Sequence, residues 1–204
     1  MPARSISNPR LAPITAPALR SRAMGIFASA GFGAFWAATG LSTHHGAFAA
    51  VGYVITLAIL GALVAAAGQL FRRARQINRT GHSSTDDRRH IRRRFLLIFI
   101  AEIAAMNVAA WLLVPDHMTY LIPVIAIIVG VHFYPLAPLF NSPHYHLTGS
   151  VMALAGTAGC VVIALGYDGT ACTTWACATC AVALWISGGI SWHLARRRLP
   201  LPAG

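Results

Sequence analysis

The chain has 204 residues, of which 56% are hydrophobic and 10% are charged. Soluble domains carry about 25% charged residues, so this composition excludes an ordinary soluble domain and indicates an integral membrane protein. Sixteen arginines and five acidic residues give a formal net charge of +11. The positions of the arginines favour membrane topology over nucleic-acid binding as the reason for this charge.

The N-terminal region, residues 1–22, has four arginines, no acidic residue and no hydrophobic period, which predicts a disordered cytoplasmic tail. Residues 24–41 are apolar and rich in Gly and Ala, and we interpret them as the first membrane span. A basic leader before an apolar run is also typical of a cleaved signal peptide, which is the alternative interpretation. Small residues recur every four positions in this span, a pattern that permits close helix packing in lipid. They are Gly25, Ser29, Gly33 and Ala37.

Five further apolar stretches follow, each near the roughly 20 residues that a helix needs to cross a bilayer. Their predicted bounds are 47–71, 95–114, 118–138, 147–167 and 171–195. An arginine-rich loop, 72–94, separates the second and third spans, and the tail 196–204 ends the chain. Because a helix satisfies its own backbone hydrogen bonds in lipid, we predict an all-α fold, a polytopic transmembrane bundle of six helices.

The arginines predict the orientation of this bundle. Four lie in the N-terminal tail, nine in the loop 72–94 and three in the C-terminal tail, which places all sixteen on one side. By the positive-inside rule, both termini are then cytoplasmic. We expect the bilayer itself, with anionic lipids at the arginine-rich loop, as the partner, and no nucleic acid. Aromatic residues fall near the predicted boundaries, with Trp36 and Trp175 at the outer one and Tyr145 at the inner one, as interfacial belts do.

Two ionisable side chains are predicted to lie at the same depth on consecutive helices. Glu102 is the acidic residue inside a predicted span, roughly 11 Å from the cytoplasmic end at the helical rise. His132, on the next helix, lies roughly 6–12 Å from the same end. A buried carboxylate needs a partner or a proton. The pair can therefore carry a proton or hold a cation, or it can simply be a hydrogen bond that joins two helices.

Other residues extend this candidate site. Gln69, Asn107 and His193 are possible contributors to a polar site in the cytoplasmic half of the membrane. Pro135, just past His132, is expected to break the fourth helix and to free a backbone carbonyl next to the histidine. His144 and His146 flank Tyr145 and are interpreted as interfacial polar residues rather than metal ligands. We expect no metal and no cofactor.

The cysteines offer an enzymatic alternative. Cys177 and Cys180 form a C-x-x-C on one helix face near the outer end of the sixth span. In this respect the chain resembles quinone-linked membrane thiol oxidoreductases, which also carry a shuttle cysteine pair in an outer loop. Here only Cys172 lies near a loop, and small-residue packing is the competing explanation. Since no phosphate-binding loop, lysine or H-E-x-x-H is present, an enzymatic function is disfavoured.

One stretch, residues 130–149, resembles an element of uncharacterised bacterial small multi-pass membrane proteins. It has the form Gly-x-His-Phe-x-Pro-Leu-Ala, followed by an aromatic residue, a proline and a tyrosine before Thr-Gly. The matching residues are Gly130, His132, Phe133, Pro135, Leu136, Ala137, Phe140, Pro143, Tyr145, Thr148 and Gly149. The resemblance implies a multi-pass protein of the bacterial inner (plasma) membrane and no established activity, so it assigns no role to any residue.

The leading hypothesis is a small transporter or membrane-embedded binding protein that uses Glu102 and His132. The first alternative is thiol-disulfide oxidoreduction through Cys177 and Cys180. The second is a structural or accessory subunit, in which the small-residue stripe contacts a partner and the Glu102–His132 pair only joins two helices. A homo-oligomer and a partner membrane subunit are the protein partners expected.

Overall fold

The computed structural model describes residues 16–77, 85–140 and 142–197. Six α-helices are long and apolar enough to cross a membrane, and no strand occurs within the described residues, which confirms the all-α fold. A 3-10 turn, Met118–Tyr120, precedes the fourth helix. The helices are α1 (Ala16–Leu41), α2 (Ala47–Ile77), α3 (Thr85–Leu113), α4 (Leu121–Leu139), α5 (His144–Ala164) and α6 (Gly169–Arg197).

Several helices continue past the predicted spans into arginine-containing segments. α1 begins at Ala16, so the predicted disordered tail is helical from there onward, and residues 1–15 lie outside the described part. The predicted loop 72–94 is also helical at both ends, and residues 78–84 are outside the described part. Arginine is a good helix former. Hydropathy therefore located the apolar part of these helices and missed the arginine-containing segments that extend them.

The arginine-bearing helix ends lie at one end of the bundle, which we call the arginine end. Leu19 of α1, Leu70 of α2 and Ala195 of α6 form one buried cluster there. Arg94 of α3 lies beside Leu139 of α4 in the same cavity wall. This common end is what the positive-inside interpretation requires of the fold.

The neighbours of each helix define the architecture. α1 packs against α6 and α2, α4 packs against α5, and the α5–α6 contact joins these groups. Among the described helices, α3 makes its extensive contacts with α4 alone, and α2 makes its own with α1 and, to a smaller extent, α6. α2 and α3 are therefore peripheral. A gap is left between α1 and α3, and α4 lies beneath it.

The small-residue stripe of α1 lies inside the bundle, against α6. A Cβ added at Gly40 would be 2.8 Å from the Cβ of Cys177, and Gly33 lies directly against the indole of Trp185. Ser29 is buried opposite Gly188. Because these contacts are within one chain, the accessory-subunit interpretation loses the surface that it assigned to a partner.

α4 and α5 approach each other through glycines. A Cβ added at Gly130 would lie 2.6 Å from the backbone nitrogen of Ala153, and one added at Gly149 would lie 2.5 Å from the carbonyl oxygen of Gly130. Gly156 lies in the same way against the carbonyl of Pro123. Backbone contact of this kind leaves no space for any side chain, as in other close helix pairs in lipid. Gly130 and Gly149, the ends of the sequence element 130–149, are thus packing residues.

Two of the aromatic residues expected near the membrane boundaries are buried between helices. Trp36 lies in the core with Met152 of α5 and Leu184 of α6, and Tyr145 is buried beside Phe133. Trp175 is exposed, as an interfacial residue would be. The small residues of α1 bring α6 close enough to enclose Trp36, a contact that position along the sequence does not reveal.

Candidate functional site

Glu102 and His132 contact each other across the α3–α4 interface. The Nδ1 atom of His132 lies 3.2 Å from Oε2 of Glu102. The His132 side chain is 10% exposed and the Glu102 side chain is 8% exposed, so both are largely buried. At the helical rise, Glu102 lies roughly 14 Å along α3 from Arg93, and His132 lies roughly 10 Å along α4 from Leu139. The two positions predicted to share a depth are therefore brought together.

The pair lies on the floor of a groove between α1 and α3, which we call the α1–α3 groove. A cavity of about 150 Å³ at its inner part is lined by both Glu102 and His132. A second cavity of about 480 Å³ continues along the same two helices and is lined by Glu102 as well. Phe32 lines both cavities and is 52% exposed, so the groove is open to the surface of the bundle at this residue.

The walls of the groove are apolar and rich in phenylalanine. α1 contributes Phe27, Phe32 and Phe35, α3 contributes Phe95 and Phe99, and Phe133 of α4 and Phe140 just after its end complete the set. The polar side chains that line either cavity are Glu102, His132, Tyr145 and Ser29. The carboxyl and imidazole groups are thus presented at the bottom of an aromatic trough.

Tyr145 closes the groove at the arginine end. Its ring packs edge-on against Phe133 and Phe140, with centroid distances of 5.5 and 6.3 Å. Phe140 in turn packs on Phe95, at 5.9 Å, which links this end of α4 to α3. The hydroxyl of Tyr145 lies against Gly25 of α1, where an added Cβ would be 2.5 Å from the oxygen.

Sequence reasoning missed the phenylalanines and Tyr145, although one signal for them exists. Phe95, Phe99, Glu102 and Met106 are spaced by four, three and four residues and therefore form one stripe on α3. All four line the groove. The 3.6-residue period around Glu102 was sufficient to predict that these residues of α3 share its face.

Three other predicted contributors do not join the site. Asn107 is exposed, and its Nδ2 donates to the carbonyl of Ile103 in its own helix, at 2.8 Å. Gln69 is exposed on α2, a helix that contributes no residue to either cavity. His193 is exposed on α6. None of these side chains lines either cavity, so the expectation that they extend the polar site is wrong.

Pro135 does not end α4, which continues to Leu139. Pro135 and Pro138 line a separate cavity with Leu97 and Ile98 of α3, away from the α1–α3 groove. Each proline lacks an amide hydrogen, so the carbonyl four residues before it loses its helical partner, but the chain remains helical through both prolines. The predicted helix break next to His132 is therefore wrong.

The cysteines of the C-x-x-C are free and fully buried. Cys177 and Cys180 are each 0% exposed and pack with Trp36 and Met152 in the core. A thiol that exchanges disulfides must be reached by its partner, so this environment favours the packing explanation over the redox one.

The two histidines that flank Tyr145 have separate neighbours. Nε2 of His144 lies 3.0 Å from Oγ of Ser191, and the ring of His146 packs edge-on near Tyr134.

The chemistry available at the groove is that of a carboxyl and an imidazole in apolar surroundings. A single uncompensated charge is costly there, so the pair is favoured when its total charge is zero. This neutral state holds one exchangeable proton, placed on the carboxyl or shared with the imidazole. Such a pair can release that proton to a base, or exchange it for another cation.

Comparison with known proteins identifies a family without an assigned role. No curated protein and no solved structure matches the chain. The model of a family of unknown function, DUF7010, matches residues 86–192, which is more than half of the chain. The match includes Glu102, His132, Tyr145 and the glycines of the α4–α5 contact. The six-helix chain is therefore a member of the family of unknown function DUF7010.

Proposed function

We propose that this protein is a small membrane-embedded binding protein of the transporter type, with the Glu102–His132 pair as its polar binding site. The observation that carries the proposal is the position of the pair at the floor of an open groove. Ionisable residues within membrane spans are costly, and they mark ion or substrate pathways when they adjoin a cavity.

The groove distinguishes this proposal from a purely structural role. A hydrogen bond that only joins α3 to α4 needs tight packing around it and gains nothing from a cavity. Glu102 instead lines two cavities, and both are bounded by α1, a helix that α3 does not pack against extensively. With the arginine end taken as cytoplasmic, the pair lies in the cytoplasmic half of the membrane.

Infrared spectroscopy of the purified protein in lipid tests whether the pair is accessible to protons. A protonated Glu102 gives a carbonyl-stretch band that is absent from the Glu102→Gln variant. We expect this band to weaken as the pH rises and to shift when water is replaced by D₂O, because a binding site that handles protons must exchange its proton with water.

Asp116→Asn is the matched control, since it removes a carboxyl group from the exposed turn after α3 and leaves the groove unchanged. Its spectrum should retain the Glu102 band. A Glu102 band that responds neither to pH nor to D₂O would show that the pair is sealed in dry packing, and the binding proposal would then be abandoned in favour of a structural link.

A further inference from the structure

We infer that the α1–α3 groove binds a monovalent organic cation with an apolar, ring-containing body, which takes the place of the exchangeable proton at Glu102. This inference rests on the proposed function and names its ligand class. It combines three observations on the groove: the charge of the pair, the chemistry of the walls and the direction in which the groove opens.

The charge of the pair selects a cation. With neutral imidazole and ionised carboxylate, the Glu102–His132 pair has one negative charge in an apolar trough. One proton or one monovalent cation brings the total to zero, and a neutral total is the state of lowest cost in lipid. A bound anion would raise the uncompensated charge. Exchange of the cation for the proton, which leaves to the solvent, keeps the charge of the site constant.

The walls select an organic cation over a metal ion. Calcium takes six to eight oxygen ligands, and magnesium requires about six in octahedral geometry. The oxygen-bearing side chains that line the cavities are Glu102, Tyr145 and Ser29, and no three metal-ligating side chains converge within the described residues. Phenylalanine faces attract organic cations through their quadrupoles, and more strongly when water is absent. Phe32, Phe95 and Phe99 supply such rings around the carboxyl group.

The opening of the groove selects an apolar body. Because α1 and α3 are not extensively packed against each other, the cavity side of α1 remains exposed, with Phe27, Phe32 and Phe35 each more than half exposed. These residues lie within a helix long enough to span the membrane, so the opening is directed at lipid. A ligand that enters from lipid must itself partition into lipid, which a hydrophobic cation does and a hydrated ion does not.

Competition with protons makes binding dependent on pH. The titratable groups that line the groove are Glu102 of α3, His132 of α4 and Tyr145 of α5, while the α1 and α6 residues in its walls are not titratable. Arg22 of α1 acts electrostatically on Tyr145 at the arginine end. Since the proton and the cation compete for one carboxylate, we expect cation binding to strengthen as the pH rises.

The test uses tetraphenylphosphonium, a hydrophobic cation, and tetraphenylborate, an anion of the same shape. Binding to the full-length protein in lipid nanodiscs is measured calorimetrically, with a pH indicator in weak buffer to count released protons. We expect tetraphenylphosphonium to bind with release of about one proton per cation. We expect Glu102→Gln to weaken its binding by about tenfold or more, and Asp116→Asn to bind as the unmodified protein does.

Several results would overturn the inference. Equal binding of tetraphenylborate would show that the groove recognises shape and apolarity alone. Absence of binding, or binding to the unmodified protein without proton release, would also overturn it, and this proton count decides the question even if Glu102→Gln fails to fold. If the infrared band of Glu102 responds to pH and D₂O but the cation does not bind, the proposed site remains and the ligand class is wrong.

Discussion

His132 is the partner on which we expect Glu102 to depend for its stability in the membrane. In the described part of the chain, His132 supplies the polar side-chain contact of the Glu102 carboxyl, and apolar residues of α1, α3 and α4 surround both. Loss of one partner leaves the other buried without a hydrogen bond, which is costly. When both are replaced by apolar residues, no unpaired polar group remains. The double substitution should therefore lower the free energy of unfolding by less than the sum of the two single substitutions.

His132→Leu should lower the free energy of unfolding by about 1–3 kcal/mol, because it leaves a buried carboxyl group unpaired. The double variant Glu102→Leu/His132→Leu should be more stable than this single variant. Unfolding in mixed detergent micelles, followed by circular dichroism, measures both.

Asn107→Leu is the control on the same helix, since the Asn107 amide is exposed and bonds to its own backbone. Its effect should stay within about 0.5 kcal/mol, as for other exposed substitutions. If the double variant is less stable than His132→Leu, the contact is not the reason that Glu102 is tolerated.

The shared depth of Glu102 and His132 was predictable, because counting along two antiparallel spans fixes the height of each residue. Their contact also depends on the angle of each side chain around its helix. Angle around the helix decided the remaining candidates. Asn107 follows Glu102 by five residues, a rotation of roughly 140°, and so projects from another side of α3. His193 lies two residues after the buried Ser191 and is exposed for the same reason. Polar character without helical phase is insufficient to assign a site.

At the scale of helices, the close packing of α4 against α5 requires glycine at the positions where the two backbones meet. Gly130 and Gly149 place the two backbones in direct contact, with Gly156 two turns further along. Lipid offers no hydrophobic drive for helix association, so close packing of this kind supplies much of the interaction between helices. This contact also fixes α4, and with it the height of His132 relative to α1.

Gly130→Ala should destabilise the bundle by about 1–3 kcal/mol, because the new methyl group overlaps the backbone of Ala153 and Gly149. Gly189→Ala, in α6, is the matched control, since an added Cβ there meets nothing within 4 Å. Alanine is the better helix former, so this control should be neutral or gain up to about 1 kcal/mol.

Thermal unfolding in a mild detergent compares the two glycine variants. Equal melting temperatures for Gly130→Ala and Gly189→Ala would contradict the close backbone contact between α4 and α5. A shift confined to Gly130→Ala, with the helical content preserved, identifies packing rather than helix propensity as the cause.

The six helices were predictable because each needs a continuous apolar run. Their arginine-containing ends were not predictable, because arginine limits a membrane span but does not stop a helix. The element 130–149 shows a second limit. Its glycines and Tyr145 were noticed as a pattern, yet their reasons are physical contacts: Gly130 with Gly149, and Tyr145 with Gly25. These contacts join residues of different helices, and spacing within one helix does not predict them.

For the whole molecule, the order of neighbours is what the sequence left undetermined. Apolar side chains lie on all sides of a membrane helix, so the hydrophobic period does not separate the face that meets protein from the face that meets lipid. α3 therefore gave no sign that, among the described helices, it packs extensively only against α4, and α1 gave no sign that it borders a groove. The groove exists because these two helices are not neighbours in the bundle.

The orientation of the bundle completes the proposal, and the arginines predict it. The arginine end should lie in the cytoplasm, with the turn that contains Asp116 on the opposite side. Single cysteines at two exposed positions, Asp116→Cys and Gln76→Cys, test this with a membrane-impermeant thiol reagent. Asp116→Cys should be labelled above the unmodified protein in intact cells, and Gln76→Cys only after the membrane is opened. The reverse pattern would place the Glu102–His132 pair in the outer half of the membrane. Protons at the site would then be supplied from the external side, and the direction of any proton-linked exchange would be inverted.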